Sequence, residues 1–307
     1  MAFSLATFNV KDLFDAPEPA RRAQVEAKLA WLAAMLTRMD ADVVGLQEVG
    51  SVSLLGELVG RLEGRGGYGE PVVGTADDRG IRNAILARVP VLASQVHAPK
   101  SLEFPVFQAG DPPPFGDRIP MRRGVVQATV DAGPLGQVHV LVAHFKSNRR
   151  LFERDRNGGA PPWVDVLPAR VLAQAELRSL VWRASEALFV RGLVDDLVLE
   201  DPSAQVAFMG DLNDRPGSLV TRFVAGMGPG ELFSGADLVR EERRFSILHK
   251  GKPDLFDYVF VTQNLRQRAI EGRLFNEALR DHGDIPQGTE PDLVADSDHA
   301  PLVVRFG

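Results

Sequence analysis

Six short stretches of this sequence set a carboxylate, a carboxamide or an imidazole at one end of an apolar run. They are Asn9 in Thr7-Phe8-Asn9-Val10, Glu48 in Gly45-Leu46-Gln47-Glu48, His144 in Val142-Ala143-His144-Phe145, Asp211 with Asn213 in Gly210-Asp211-Leu212-Asn213, Asp257 in Phe256-Asp257-Tyr258, and the pair Asp298-His299 after Ser297. Such groups hold a hard cation on oxygen, orient or deprotonate a water, and carry positive charge on an imidazole. The chain has no cysteine, so thiolate nucleophiles and thiolate metal sites are excluded, and any metal must sit on oxygen or imidazole ligands. Each motif alone also has a structural reading. A carboxylate after a strand is commonly solvated, a histidine closing a strand is commonly a core residue, and an Asp-x-Asn turn caps local backbone donors. Their shared placement is more telling, because α/β sheets expose their sites at strand ends. Alternation along an extended chain also turns Asp211 and Asn213 to one side.

The elements that must carry these groups are visible in the hydrophobic pattern. Near-continuous apolar runs predict strands at Leu5 to Val10, Val43 to Val49, Ala84 to Ala87, Val125 to Val130, Val138 to Phe145, Val206 to Gly210, Tyr258 to Thr262 and Pro301 to Phe306. A helix is predicted from Pro19 to Met39, with Val25, Leu29, Leu32, Leu36 and Met39 on one stripe. A second, Ala169 to Leu199, is expected to turn Leu177, Leu180, Val181, Ala184 and Leu188 inward, and shorter helices are expected at Val52 to Leu62 and Ser218 to Ala225. The segments Ala98 to Arg123 and Ser147 to Pro168 are long for connections and read as functional loops. No linker composition divides the chain, so one α/β domain over residues 1–307 is expected.

Composition narrows the partners. Of the 307 residues 45% are hydrophobic, enough for a sizeable core, and the net charge of -6 argues against a surface that binds nucleic acid everywhere while leaving room for a local basic groove. The start, Met1-Ala2-Phe3-Ser4-Leu5, lacks a basic secretory n-region, and no apolar run reaches the length of about eighteen residues of a membrane span. A cytoplasmic protein without integral membrane association is expected, and no protein partner is evident.

Taken in order from Thr7 to Val303, the motifs resemble those of the deoxyribonuclease-like endonuclease/exonuclease/phosphatase superfamily. The resemblance implies a four-layer αββα sandwich, two packed mixed β-sheets flanked by helices, with the site at one end of the sheets. It also implies roles. Glu48 would be the principal metal carboxylate, with Asn9 and Asp298 completing an oxygen shell suited to Mg²⁺ or Mn²⁺. Asp211 would orient or deprotonate the attacking water, and Asn213 would hold phosphate and nucleophile. His299, steadied by Asp257, would stabilise charge on the scissile phosphate, His144 would act as a general acid, and Asn83 would contact phosphate. Phosphoryl transfer suits these residues, since it needs charge neutralisation and in-line water more than a covalent nucleophile.

Two departures bear on the site. Many nuclease members have an acid two positions after the first Asn, where this chain has Lys11 followed by Asp12; and Gly80-Ile81-Arg82-Asn83 offers no acidic partner for His144. A phosphodiesterase acting on DNA or RNA is the leading expectation, because Lys146, Asn148, Arg149 and Arg150, with Arg154, Arg156 and Arg170, gather beside the His144 strand end. The alternatives are a phosphomonoesterase or a lipid or small-molecule phosphodiesterase on the same site, and a catalytically silent binding module. His97, His139, His249 and His282 lie in no motif and are assigned to surface or packing roles.

Overall fold

Alternation in β1 (Phe3–Leu13) divides its side chains between two destinations. Phe3 and Leu5 enter one buried cluster, whereas Ala6, Phe8 and Val10 enter another. The computed structural model describes residues 3–16, 18–62, 66–102, 119–152, 167–249, 251–282 and 295–307. In it β1 runs parallel to β2 (Val43–Val49) and antiparallel to β14 (Leu302–Phe306). With β3 (Val72–Val73), β4 (Arg82–Ala87) and β13 (Ala269–Leu274) they form a mixed six-stranded sheet in the order β13-β14-β1-β2-β4-β3.

The second six-stranded sheet, β5-β6-β7-β8-β12-β9, comprises β5 (Val91–His97), β6 (Val125–Asp131), β7 (Gln137–His144), β8 (Gln205–Asp211), β9 (Leu232–Ser234) and β12 (Asp257–Thr262). Only its β7–β8 pair is parallel. A short ribbon of β10 (Ile247–His249) and β11 (Lys252–Asp254) is bridged to the main fold by Ile247 opposite His299. Helices α1 (Pro19–Met39) and α2 (Val52–Gly60) cover the outer face of the first sheet through Leu29, Leu32, Leu36, Leu55 and Leu58. On the second sheet lie α3 (Ala169–Glu200), α4 (Leu219–Ala225) and the single turn α5 (Gln263–Arg266). The result is the αββα sandwich expected from the resemblance. Among the described residues no helix is long and apolar enough to cross a membrane.

Two glycines set how closely the layers approach. A Cβ at Gly45 in β2 would lie 2.6 Å from Val142 Cγ2 and 3.3 Å from Met209 Cε, so the side chains of the second sheet press directly onto the β2 backbone there. Gly210 in β8 has φ 155°, and a Cβ on it would lie 1.8 Å from the carbonyl oxygen of Ala143, its partner on β7.

Helix α3 differs from its predicted orientation. Leu177 is 58% and Leu188 39% exposed, while Ala175, Ser179, Trp182, Arg183, Glu186, Ala187 and Val190 are buried. The inward face mixes Trp182, Val190 and Val194 with small and charged residues, and Leu180 and Val181 pack partly against the core, so the expected inward turn holds for those two and fails for Leu177 and Leu188. Strand β5 and the short strands β3, β9, β10, β11 and β13 were not apparent as apolar runs. β5 is exposed along nearly its whole length, so its sequence lacks a buried face to read.

Candidate active site

β7 and β8 end where β12 begins. His144 pairs in register with Asp211 across β7 and β8, and Asp211 with Asp257 across β8 and β12. Register partners on neighbouring strands project to the same face, so the three side chains form a row with Asp211 at its centre. Asp211 Oδ2 accepts a hydrogen bond from Asn9 Nδ2 at 3.1 Å and lies 3.5 Å from His144 Nε2 and 3.8 Å from His299 Nε2. Its Oδ1 accepts from the Asn213 N–H at 2.8 Å. His299 Nδ1 donates to Asp257 Oδ2 at 2.7 Å. Two buried serines fix this end of the sandwich. Ser246 Oγ accepts from the Phe256 and Asp257 N–H groups, and Ser297 Oγ donates to Asn9 O while accepting from the His299 N–H.

The electrostatics of the two histidines are opposite. Burial would lower His299, but the Asp257 and Asp211 charges and the Asp257 hydrogen bond outweigh it and hold the imidazole well above its ordinary value, as a cation. His144 goes well below its ordinary value through burial, reinforced by Arg123, His299 and Arg79, and is therefore neutral. Its Nδ1 has no partner among the described residues, which matches the missing acid noted in the sequence. Burial pushes Asp211 up to about 7, with Asp257 adding to the rise and His299, the Asn213 N–H and Asn9 opposing it.

Facing this row is an acidic wall from the first sheet. Alternation would send Glu48 to the helix layer with Val44 and Leu46. Instead its φ of 62° and a register slip between Leu46 and Val49 re-aim it. Its carboxylate accepts from Asn9 Nδ2 at 3.1 Å and from the Asp12 N–H at 3.2 Å. Lys11 and Asp12, each with φ 49°, curl the end of β1, and Asn213 has φ 50°. Apart from Asp40 at the end of α1, every described non-glycine residue with positive φ lies here. Strain of this kind costs on the order of 1–3 kcal/mol per residue and concentrates at functional sites.

Several expected site residues sit differently from the roles the resemblance implies. Asn9 turns its nitrogen to Glu48 and Asp211 while its oxygen accepts from the Lys11 N–H at 2.9 Å, so it bridges the carboxylates as a donor rather than presenting an oxygen. Asp298 is bonded to Lys11 Nζ at 2.6 Å. Asn83 is fully buried, with its amide nitrogen donating to Gly124 O at 3.0 Å and its amide oxygen without a partner among the described residues. Lys146 Nζ folds onto Ser147 O and Arg149 O, and Arg150 pairs with Glu176 at 2.7 Å. Asn148 and Arg149 remain exposed. Arg154 and Arg156 lie outside the described residues.

Other contributors went unread in the sequence. Lys28 on α1 is 2% exposed, reaches Asp296 O at 3.4 Å, and is lowered by burial to about 8 beside Asp12, Lys11 and Glu48. His282, assigned to surface or packing, meets Lys11 Nζ at 3.0 Å through Nδ1. Beneath His144, Glu186 accepts the Lys146 N–H at 2.6 Å, and Arg183 donates to Asp214 at 3.1 Å. A buried Lys or Glu on a helix has no sequence signature distinguishing it from a solvated one, which is why these groups escaped notice.

Among the described residues two clusters have the chemistry to hold a cation. Ligand atoms of Asp211, Asp257 and His299 lie within 4.8 Å of one another and are buried, but His299 already gives its Nδ1 proton to Asp257. The wall offers oxygen from Glu48 and Asp12, where burial and then the neighbouring Glu48 charge push Asp12 up to about 6. That repulsion is what a hard divalent ion relieves.

The sequence profile of the Endonuclease/Exonuclease/phosphatase family matches residues 6–299. The chain belongs to this family. Among curated proteins none matches it by sequence. Similar solved structures include truncated Caenorhabditis elegans TDP2 (TM-score 0.61, 16% identity, covering 99% of this chain and 97% of that one). D. rerio TDP2 complexed with single strand DNA product is also similar (0.58, 17%, 100% and 99%), as is an AP endonuclease from Archaeoglobus fulgidus (0.57, 13%, 99% and 99%). At these identities the likeness is one of fold.

Proposed function

We propose that this family member is a single-domain, divalent-cation-dependent phosphodiesterase acting on nucleic acid. The observation that carries the reading is the row of His144, Asp211 and Asp257 closed by His299 and facing Glu48 across the seam between the sheets. Glu48 is the principal residue that would hold Mg²⁺ or Mn²⁺, with oxygen from Asp12 beside it. When bound, the ion supplies charge neutralisation at the phosphate oxygens.

The remaining work belongs to the side chains. Asp211, raised to about 7, takes the proton of the attacking water at Oδ2, where three neighbours converge. Asn213 holds that water and the phosphate. His299, protonated and fixed by Asp257, offsets the charge that develops on the phosphate. His144, which burial holds neutral, faces the leaving oxygen as a hydrogen-bond donor, in place of the general acid that the resemblance implies. Exposed Arg149 and Asn148 border this end and suit a polyanion.

One observation favours a small phosphoester as second reading: Lys146 and Arg150 are already bonded within the protein. Hydrolysis of bis-p-nitrophenyl phosphate with Mg²⁺ or Mn²⁺ tests the chemistry, and no metal-dependent turnover would sink it. Single-stranded DNA, duplex DNA, RNA, nucleotides and phospholipids, compared side by side, test the substrate. Preference for mononucleotides or phospholipids over every polynucleotide would replace the nuclease reading.

A further inference from the structure

Lys11 stands among carboxylates. Its Nζ donates to Asp298 Oδ2 at 2.6 Å and lies 3.0 Å from His282 Nδ1, while its own backbone N–H is bound by Asn9 and the next residue, Asp12, donates its N–H to Glu48. The left-handed turn at Lys11 and Asp12 places an ammonium and a carboxylate on adjacent residues at the mouth of the acidic wall. Lys28 brings a second ammonium to the same wall from α1.

We propose that Lys11 is a protein-borne counter-cation occupying the place of a second metal ion, so that this site takes one divalent cation. The inference rests on the metal-dependent reading given above. Two-metal phosphoesterase sites hold their ions about 3.5–4 Å apart between several carboxylates. Here Glu48, Asp12 and Asp298 are the carboxylates, and Asp298 is committed to Lys11. A second dication would have to displace that ion pair and sit against an ammonium at short range, where Coulomb repulsion in a partly buried site is large. The charge balance points the same way. The three carboxylates with Lys11, Lys28 and one dication leave a single positive charge to meet a phosphate. Two dications without the lysines would leave the same charge, whereas two dications together with both lysines would leave three.

Equilibrium titration of the full chain with Mn²⁺, reading free ion by electron paramagnetic resonance and without substrate, gives the stoichiometry directly. One bound ion is expected for the unmodified protein and for Lys11→Arg, and two for Lys11→Met, in which Asp298 is released. Should Lys11→Met fail to fold by thermal melting, Lys11→Gln keeps a donor to Asp298 while removing the charge, and two ions are again expected. Two ions in the unmodified protein, or one in the uncharged variants, overturn the role of Lys11 and leave the metal-dependent reading standing. No bound ion in the unmodified protein overturns both.

Discussion

Asp211 is met by groups from three separate parts of the chain, a hydrogen bond from Asn9 on β1 and the Nε2 atoms of His144 on β7 and His299 before β14 at 3.5 and 3.8 Å, and burial brings its proton exchange near neutrality. Asp211→Asn and His299→Ala should therefore each lower kcat by at least about a hundredfold, the scale for losing a base or an electrostatic stabiliser. A change confined to KM would contradict their roles. Because the base acts deprotonated, kcat/KM should rise with pH up to about 7, and Asp211→Asn should remove that limb. His144→Ala should cost less than His299→Ala, since His144 is uncharged and its Nδ1 is unpartnered. Glu48→Gln should abolish metal-dependent turnover and weaken Mn²⁺ binding with the melting temperature preserved; normal affinity would remove Glu48 from the metal site. At this scale the sequence was informative wherever a polar residue bordered an apolar run: Asn9, Glu48, His144, Asp211, Asp257 and His299 all converge. It was silent on Lys28, His282 and Glu186, whose helix or loop positions depend on tertiary packing.

Helix α3 serves the site through its charged face. Glu186 is raised from the usual 4.5 to about 7, burial outweighing the Lys146 N–H and the Arg123, Lys146 and Arg183 charges. Between those values the folded state keeps a proton that the unfolded chain releases, so this group's contribution falls as pH rises through the window, by on the order of 3 kcal/mol in all. Glu186→Gln retains an acceptor for the Lys146 N–H and should flatten the decline in melting temperature between pH 5 and 7, roughly the window set by those two values. Parallel curves for both proteins would mean that Glu186 does not titrate there. At the β7–β8 junction, Gly210→Ala should destabilise by at least about 3 kcal/mol, because a Cβ would strike Ala143 O and the backbone is left-handed; an unchanged denaturation midpoint would refute it. Element existence was legible for strands buried on both faces and for α1, whose stripe meets a sheet. The orientation of α3 was legible only in part, because Ser179, Arg183 and Glu186 share its buried side with Trp182, Val190 and Val194.

For the molecule as a whole, a net charge of -6 confines polyanion binding to local cations. If the substrate is a nucleic acid, Arg149→Ala with Arg150→Ala should flatten the log K versus log salt slope by about 0.7 to 0.9, the value for one phosphate contact, because Arg150 is held by Glu176. A flattening twice as large would mean that Arg150 leaves Glu176 on binding, and none would favour the small substrate. The seam between the sheets has a mechanical consequence. Asn9 reaches Asp211 across it at 3.1 Å, whereas His144 and Asp257 share a sheet with Asp211. The molecule is therefore built like a caliper, one jaw to each sheet, and Gly45 is where a shim can be inserted. Graded side chains at position 45 would open the gap by tenths of an ångström while each jaw keeps its shape, and turnover would read that displacement as a gauge reads thickness.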